Sequence, residues 1–148
     1  MKRLLSIIFC ISVISAFAQP DKQRLERELF NLPDVSFTDV SKPGDPYLTY
    51  DLIFKQALDH QHPEKGTLYQ SVQLRHRGFD KPTVIETNGY FLSRGKNEVE
   101  QILNANNVSV EFRFFGKLAP DSLQWQYLTN SQAAADLHHI NQLLRNLS

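Results

Sequence analysis

The segment from Asn107 to Leu147 constrains the fold more than any other part of the chain. Val108, Val110, Phe112 and Phe114 fall on alternate positions, placing large apolar side chains on one face of a strand. After a loop through Pro120, Thr129 stands three residues before Gln132, the spacing of a capping box at a helix start. Ala133, Leu137, Ile140, Leu144 and Leu147 then recur at intervals of four and three, a single apolar stripe. Such a stripe has to lie on a sheet, so the helix covers the strand layer that precedes it.

The residues upstream supply that layer. Tyr47–Lys55 is aromatic and β-branched and is predicted to be a strand. Asp59–Gly66 is a polar turn bent by Pro63 and Gly66, and Thr67–Arg77 is a second strand with an irregularity near Ser71. Its Leu68, Val72 and Leu74 oppose polar Gln70, Gln73 and Arg75. The two strands make an antiparallel hairpin. Thr83–Thr87 is a short β-branched strand, and Val99, Ile102 and Leu103 give Asn97–Ala105 a helical period. Strand, helix and strand joined by short loops form a right-handed βαβ unit, which requires parallel pairing.

The predicted class is therefore α/β, an antiparallel hairpin followed by a parallel βαβα unit. That sheet is thin for an independent domain. The chain reads either as a small α+β domain or as the front part of a larger α/β fold, and sheet size favours the second.

Three regions are expected. Residues 1–18 form a cleaved signal peptide: Lys2 and Arg3 are its positive start, Leu4–Phe17 its apolar run, and Ala16-Phe17-Ala18 its cleavage pattern. The run is shorter than the roughly 20 apolar residues of a membrane span. Cys10 lies inside it, so the mature chain from Gln19 has no cysteine, hence no disulfide and no thiolate chemistry. The expected location is a bacterial periplasm or the exterior, with no membrane attachment after cleavage. Residues 19–46 form an N-terminal helix and loop: Leu25, Leu29 and Leu32 are helically spaced, with Asp21 as N-cap and Pro33 as stop. That helix is expected to act as a lid or brace. Pro33–Pro46 is loop-like, and residues 47–148 form the partial domain.

Formal net charge is +0 over 148 residues, which gives no basic footprint for nucleic acid. His60 and His62 lack a third metal ligand, and adjacent His138 and His139 diverge around their helix, so neither pair forms a metal site and no cofactor is expected. Glu111 and Arg113 share the strand face opposite Phe112 and Phe114. They form either an exposed edge or, if buried, a pair with each other or with other charges near a site. Open α/β sheets bind ligands beyond the carboxyl ends of their strands. Those ends are Thr87-Asn88-Gly89-Tyr90 and Phe115-Gly116-Lys117. Backbone N–H groups at Asn88, Gly89 and Tyr90 would suit an oxyanion-side loop, although such glycines also arise for steric reasons. There is no G-x-S-x-G elbow, P-loop or G-x-G-x-x-G.

Three signatures occur in order: Phe54-x-Gln56-x-Leu58-Asp59-His60 with Gly66-Thr67 and Gln70, then Glu111-x-Arg113-x-Phe115-Gly116-Lys117-x-x-Pro120, then Tyr127-Leu128-Thr129-x-x-Gln132-Ala133-x-Ala135-Asp136-Leu137. Together they resemble the bacterial prolyl tri/tetrapeptidyl aminopeptidases, a family of secreted serine exopeptidases related to prolyl carboxypeptidase and dipeptidyl peptidase II. The resemblance spans Tyr47–Leu147. It departs from the family pattern at Ala57, Leu118 and Ser131, where proline, serine and an acid are usual.

The resemblance implies an α/β-hydrolase fold, a Ser-Asp-His triad and a peptide substrate. No position here matches any triad member, so the expectation is no catalytic residue in this chain. Asn88, Gly89 and Tyr90 correspond to the oxyanion side, and Glu111, Arg113 and Gly116 are structural neighbours of the site. The alternatives are a secreted binding or scaffold module and an esterase or lipase relative.

Overall fold

A computed structural model describes residues 19–120, 122 and 124–147. The expected signal segment 1–18, Cys10 included, lies outside the described residues. The elements are α1 (Gln19–Phe30), β1 (Val35–Asp39), β2 (Leu48–Ala57), β3 (Thr67–His76), β4 (Thr83–Asn88), α2 (Glu98–Leu103), β5 (Asn106–Glu111) and α3 (Asn130–Leu144). They form a five-stranded sheet in the order β1-β2-β3-β5-β4. Only β4 and β5 pair in parallel; the other neighbours are antiparallel.

The predicted hairpin and βαβ unit are present, with four corrections. Residues 35–39, expected to be loop, form the edge strand β1, in register with β2 from Val35↔Phe54 to Asp39↔Tyr50. Its alternation is only two apolar residues long, Val35 and Phe37, and is flanked by turn formers that hide it. The expected irregularity in β3 is absent: pairing with β2 is continuous from Leu48↔His76 to Ala57↔Thr67. Gln70 therefore shares the core face with Leu68, Val72 and Leu74, where its amide bonds Gln56 and the Glu111 carbonyl. The third correction is to α1, which begins two residues before Asp21, so that Asp21 lies in its first turn. The helix is part of the core, with Leu25 and Leu29 fully buried.

The fourth correction concerns α2. Asn97 caps it in a reciprocal box with Glu100, but the face it turns inward carries Glu100. Val99, Ile102 and Leu103, the apolar period that announced the helix, are exposed. The reason lies in the sheet. One face carries Tyr50, Leu52, Phe54, Val72, Leu74, Val108 and Val110, and packs on α1 and α3 through Leu25, Leu29, Ile140, Leu144 and Leu147. The other presents buried Gln73, Arg75, Asn107, Ser109 and Glu111. A helix covering that polar face must answer with polar groups, and Glu100 does so by lying 2.7 Å from Arg75.

At the amino ends of the strands, the Asn106 carboxamide accepts from the Arg77 and Gly78 N–H groups and donates to the Gly78 carbonyl. His76 Nε2 donates to the Leu147 carbonyl at 3.0 Å. The end of α3 and its following turn are thereby tied beside the start of β5. No helix among the described residues is long and apolar enough to cross a membrane.

Candidate functional site

The carboxyl ends of β4 and β5 meet in register, Asn88 beside Glu111. The Asn88 amide donates to Ser109 Oγ at 2.6 Å, and its carbonyl oxygen accepts from Ser93 N–H at 3.2 Å. Asn88 thus folds its own loop back over β5. A Cβ at Gly89 would meet nothing within 4 Å, so close packing does not account for this glycine. Gly89 borders a cavity of about 340 Å³ with Thr87, Val110, Glu111 and Ala133. Tyr90 is exposed, its ring edge-on to Phe115 with centroids 5.0 Å apart. A second cavity, of about 600 Å³, lies beyond it among Tyr90, Phe91, Leu92, Glu111 and Phe115.

Strand β5 stops at Glu111, so the expected alternation through Phe114 does not hold. Phe114 adopts a left-handed φ of 66° and turns the chain away from the sheet. Glu111 and Arg113 are both buried, yet they do not pair with each other. Glu111 Oε1 accepts from Leu92 N–H at 3.2 Å. Gly116, at φ 71°, lies flat against the same carboxylate, where an added Cβ would come within 2.1 Å of it. Glu111 therefore joins the loop after β4 to the turn after β5.

Arg113 points toward α3 and is fully buried. Its Nε and Nη2 form a bidentate pair with Asp136 at 2.8 and 3.1 Å. Nη2 also donates to the Ala57 carbonyl, and Nη1 donates to the carbonyls of Leu58 and Tyr127. All five guanidinium donors are used. Asp136 accepts a further contact from His60 Nε2 at 2.7 Å.

The expected solvated turn at 59–66 is thus anchored: Gln132 donates to Asp59 and accepts from His60 N–H. Gln132 spends its side chain there, so the capping of α3 is one-sided: Gln132 N–H donates to Thr129 Oγ1. Hydrogen bonds from Lys65, followed by those from Gln132 and Gln61 N–H, hold the Asp59 carboxyl down to about 2 against a smaller opposing effect of burial.

The histidines are not equivalent. His62 and His138 are exposed, and His62 contacts Glu64 at 3.3 Å. His139 is half-buried, with Nδ1 2.7 Å from Gln56 Oε1. Because Gln56 Nε2 donates to Gln70 and to the Asp136 carbonyl, its Oε1 must accept, so Nδ1 carries the His139 proton. Burial, reinforced by nearby His60, pushes the His139 pKa down. Among the described residues, no group of three His, Cys, Asp or Glu is placed to hold a metal.

Asp136 is the residue whose role the sequence reading left unassigned, although it stood in a quoted signature. It lies three residues after Ala133 and four before Ile140, on the buried face of α3. An acid within an apolar stripe is the signal of a buried partner.

The model of the family described as PS-10 peptidase S37 matches residues 18–148. The chain belongs to the peptidase S37 family. It is also 34% identical over 123 residues to the prolyl tri/tetrapeptidyl aminopeptidase of Streptomyces mobaraensis, covering 82% of this chain and 26% of the relative. This S37 chain thus spans about a quarter of the length of the curated relative it matches. Its Arg113, bonded to Leu58, Tyr127 and Asp136, joins all three signatures, so the most recognisable residues of the S37 chain here make its internal scaffold.

Proposed function

We propose that this chain forms the first part of an α/β-hydrolase-type catalytic domain in a secreted serine peptidase that releases short peptides from amino termini. The residues described here supply sheet, scaffold and oxyanion-side loop, and by themselves hydrolyse nothing. The observation that carries the reading is the free edge of β4. This strand lies at the end of the sheet beside its parallel neighbour β5. Helix α3 brings the chain back to the amino ends of those strands, with Leu147 bonded to His76. A strand following such a crossover would run parallel along β4, and its carboxyl end would arrive beside Asn88, Gly89 and Tyr90. In an α/β-hydrolase the nucleophile stands on the turn after that strand, facing backbone N–H donors of such a loop.

Family membership supports peptidase chemistry. The Streptomyces relative is an aminopeptidase, and the amino-terminal specificity and peptide substrate in this proposal are taken from it. Export rests on residues 1–18, and amino-terminal sequencing of the protein recovered from the periplasm or medium should begin at Gln19.

The activity test is direct. The purified 148-residue chain should release no product from an amino-terminal tripeptide anilide above the buffer rate, because loss of a Ser-His-Asp constellation removes most acyl-transfer catalysis. Turnover by this chain alone would overturn the assignment.

A further inference from the structure

We infer that the cleft between the turn before β2 and the segment leading into α2 is a binding site for a compact, doubly charged oxyanion such as phosphate or sulfate. It has a volume of about 280 Å³ and is bordered by Lys42, Asp45, Thr49, Arg75, Arg94 and Lys96. Two of its bordering cations, Arg75 and Lys96, also approach the buried Tyr47 ring, and Arg77 joins them there. Arg75 Cζ lies 4.6 Å from the ring centroid, Arg77 Cζ 5.2 Å and Lys96 Nζ 5.9 Å. Cations stack favourably on an aromatic face, but three around one ring repel one another unless a counter-charge joins them.

The acids nearby do not suffice. Arg94 Nη1 contacts both Asp51 oxygens, at 2.9 and 3.2 Å. Glu100 Oε1 lies 2.7 Å from Arg75 Nη2, so these two buried charges pair with each other. Asp45 already accepts from Tyr47 N–H at 3.0 Å. Even with Asp45 counted against Lys42, Lys96 in the cleft and Arg77 beside it on the Tyr47 ring have no acidic partner among the described residues. Two residual positive charges match a dianion.

The site is built rather than a chance meeting of lysines. Lys42-Pro43-Gly44-Asp45 is a turn closed by Asp45 N–H to the Lys42 carbonyl at 3.1 Å, with Gly44 at φ 80° as a type II turn requires. The Ser41 hydroxyl fastens that turn to Thr49, accepting from the Thr49 N–H and donating to the Thr49 carbonyl. On the opposite side, Arg75 Nη1 holds the Gly95 carbonyl at 2.9 Å, next to Lys96.

The test is thermal melting of the whole chain in sodium phosphate or sulfate against sodium chloride of equal ionic strength. The expected result is a saturable rise in melting temperature with the dianions, less with acetate. The double variant Lys42→Gln, Lys96→Gln changes exposed side chains only, so it should melt like the parent in chloride and lose at least tenfold in apparent anion affinity. A hexose monophosphate that binds as well as inorganic phosphate would identify a phosphoryl ester as the ligand, whereas response to inorganic phosphate alone would identify the free ion. Equal melting in phosphate and chloride, or a double variant that responds like the parent, would overturn the site.

Discussion

A fully buried guanidinium is tolerable only if its charge is paired and every N–H finds an acceptor, and Arg113 meets both conditions through Asp136 and three carbonyls. Lysine offers three donors without the planar fork, so Arg113→Lys should lower unfolding free energy in urea by about 3–5 kcal/mol. Asp136→Asn should cost a comparable amount, because it leaves the guanidinium buried without a counter-charge. The pH profile follows from two histidines. Desolvation lowers the pKa of His76 and of His139 from the ordinary 6.5. The unfolded chain therefore takes up protons before the folded one does. The stability tied to the neutral rings is complete above 6.5 and declines as pH falls below it. Urea midpoints measured across that window should fall on acidification, and His139→Gln should shrink the slope. At this scale the sequence singled out Glu111 and Arg113 but left open whether they were exposed or buried. It was not readable for their partners: the strand ends at Glu111, and the left-handed Phe114 after it sends the two side chains in different directions.

Among the elements, α2 departs most from its own periodicity. Amphipathic reasoning assumes an apolar surface beneath a helix, and the polar sheet face here reverses it. The consequence is measurable in two variants. Ile102→Lys, at a side chain 81% exposed, should change stability by no more than about 0.5 kcal/mol. Glu100→Ala should cost about 3 kcal/mol, since Arg75 is left buried without its partner. Urea denaturation of both decides whether the helix faces as described. The turn after β5 makes a parallel case. Gly116→Ala would place a methyl group on the Glu111 carboxylate at a left-handed φ, and should lose about 1–3 kcal/mol from strain alone. The helices and the long strands were legible because their periods are sustained. β1 was not, because two apolar residues between turn formers carry no period, and its pairing with β2 is decided by the tertiary structure.

Across the whole molecule, α1 binds the architecture together, where the sequence left it as either a lid or a brace. Leu25 and Leu29 are fully buried in the same cluster as Tyr50, Ile140 and Leu147. Each such side chain contributes about 1.5–3 kcal/mol by burial. Deleting residues up to Asn31 should therefore abolish the cooperative transition in circular dichroism, whereas removal of a lid would leave it intact. The class of fold was accessible from the order hairpin, strand, helix, strand, helix. The polar second face of the sheet was not, since alternation identifies two faces but does not say that both are buried.

The Arg113 lock also sets a timetable. Its acceptors are separated along the chain: Ala57 and Leu58 lie 56 and 55 residues before it, and Asp136 lies 23 after. While the polypeptide is being synthesised, the β2–β3 hairpin can form early, but the guanidinium has no counter-charge until α3 has been made. Burying it earlier would strand a charge in an apolar layer. Closure of the core must therefore wait for Asp136, and the long loops this contact spans make it a slow, late step. A pulse-labelling experiment during refolding should find the amides of β2 and β3 protected before those of α3, with Arg113 side-chain burial completing last.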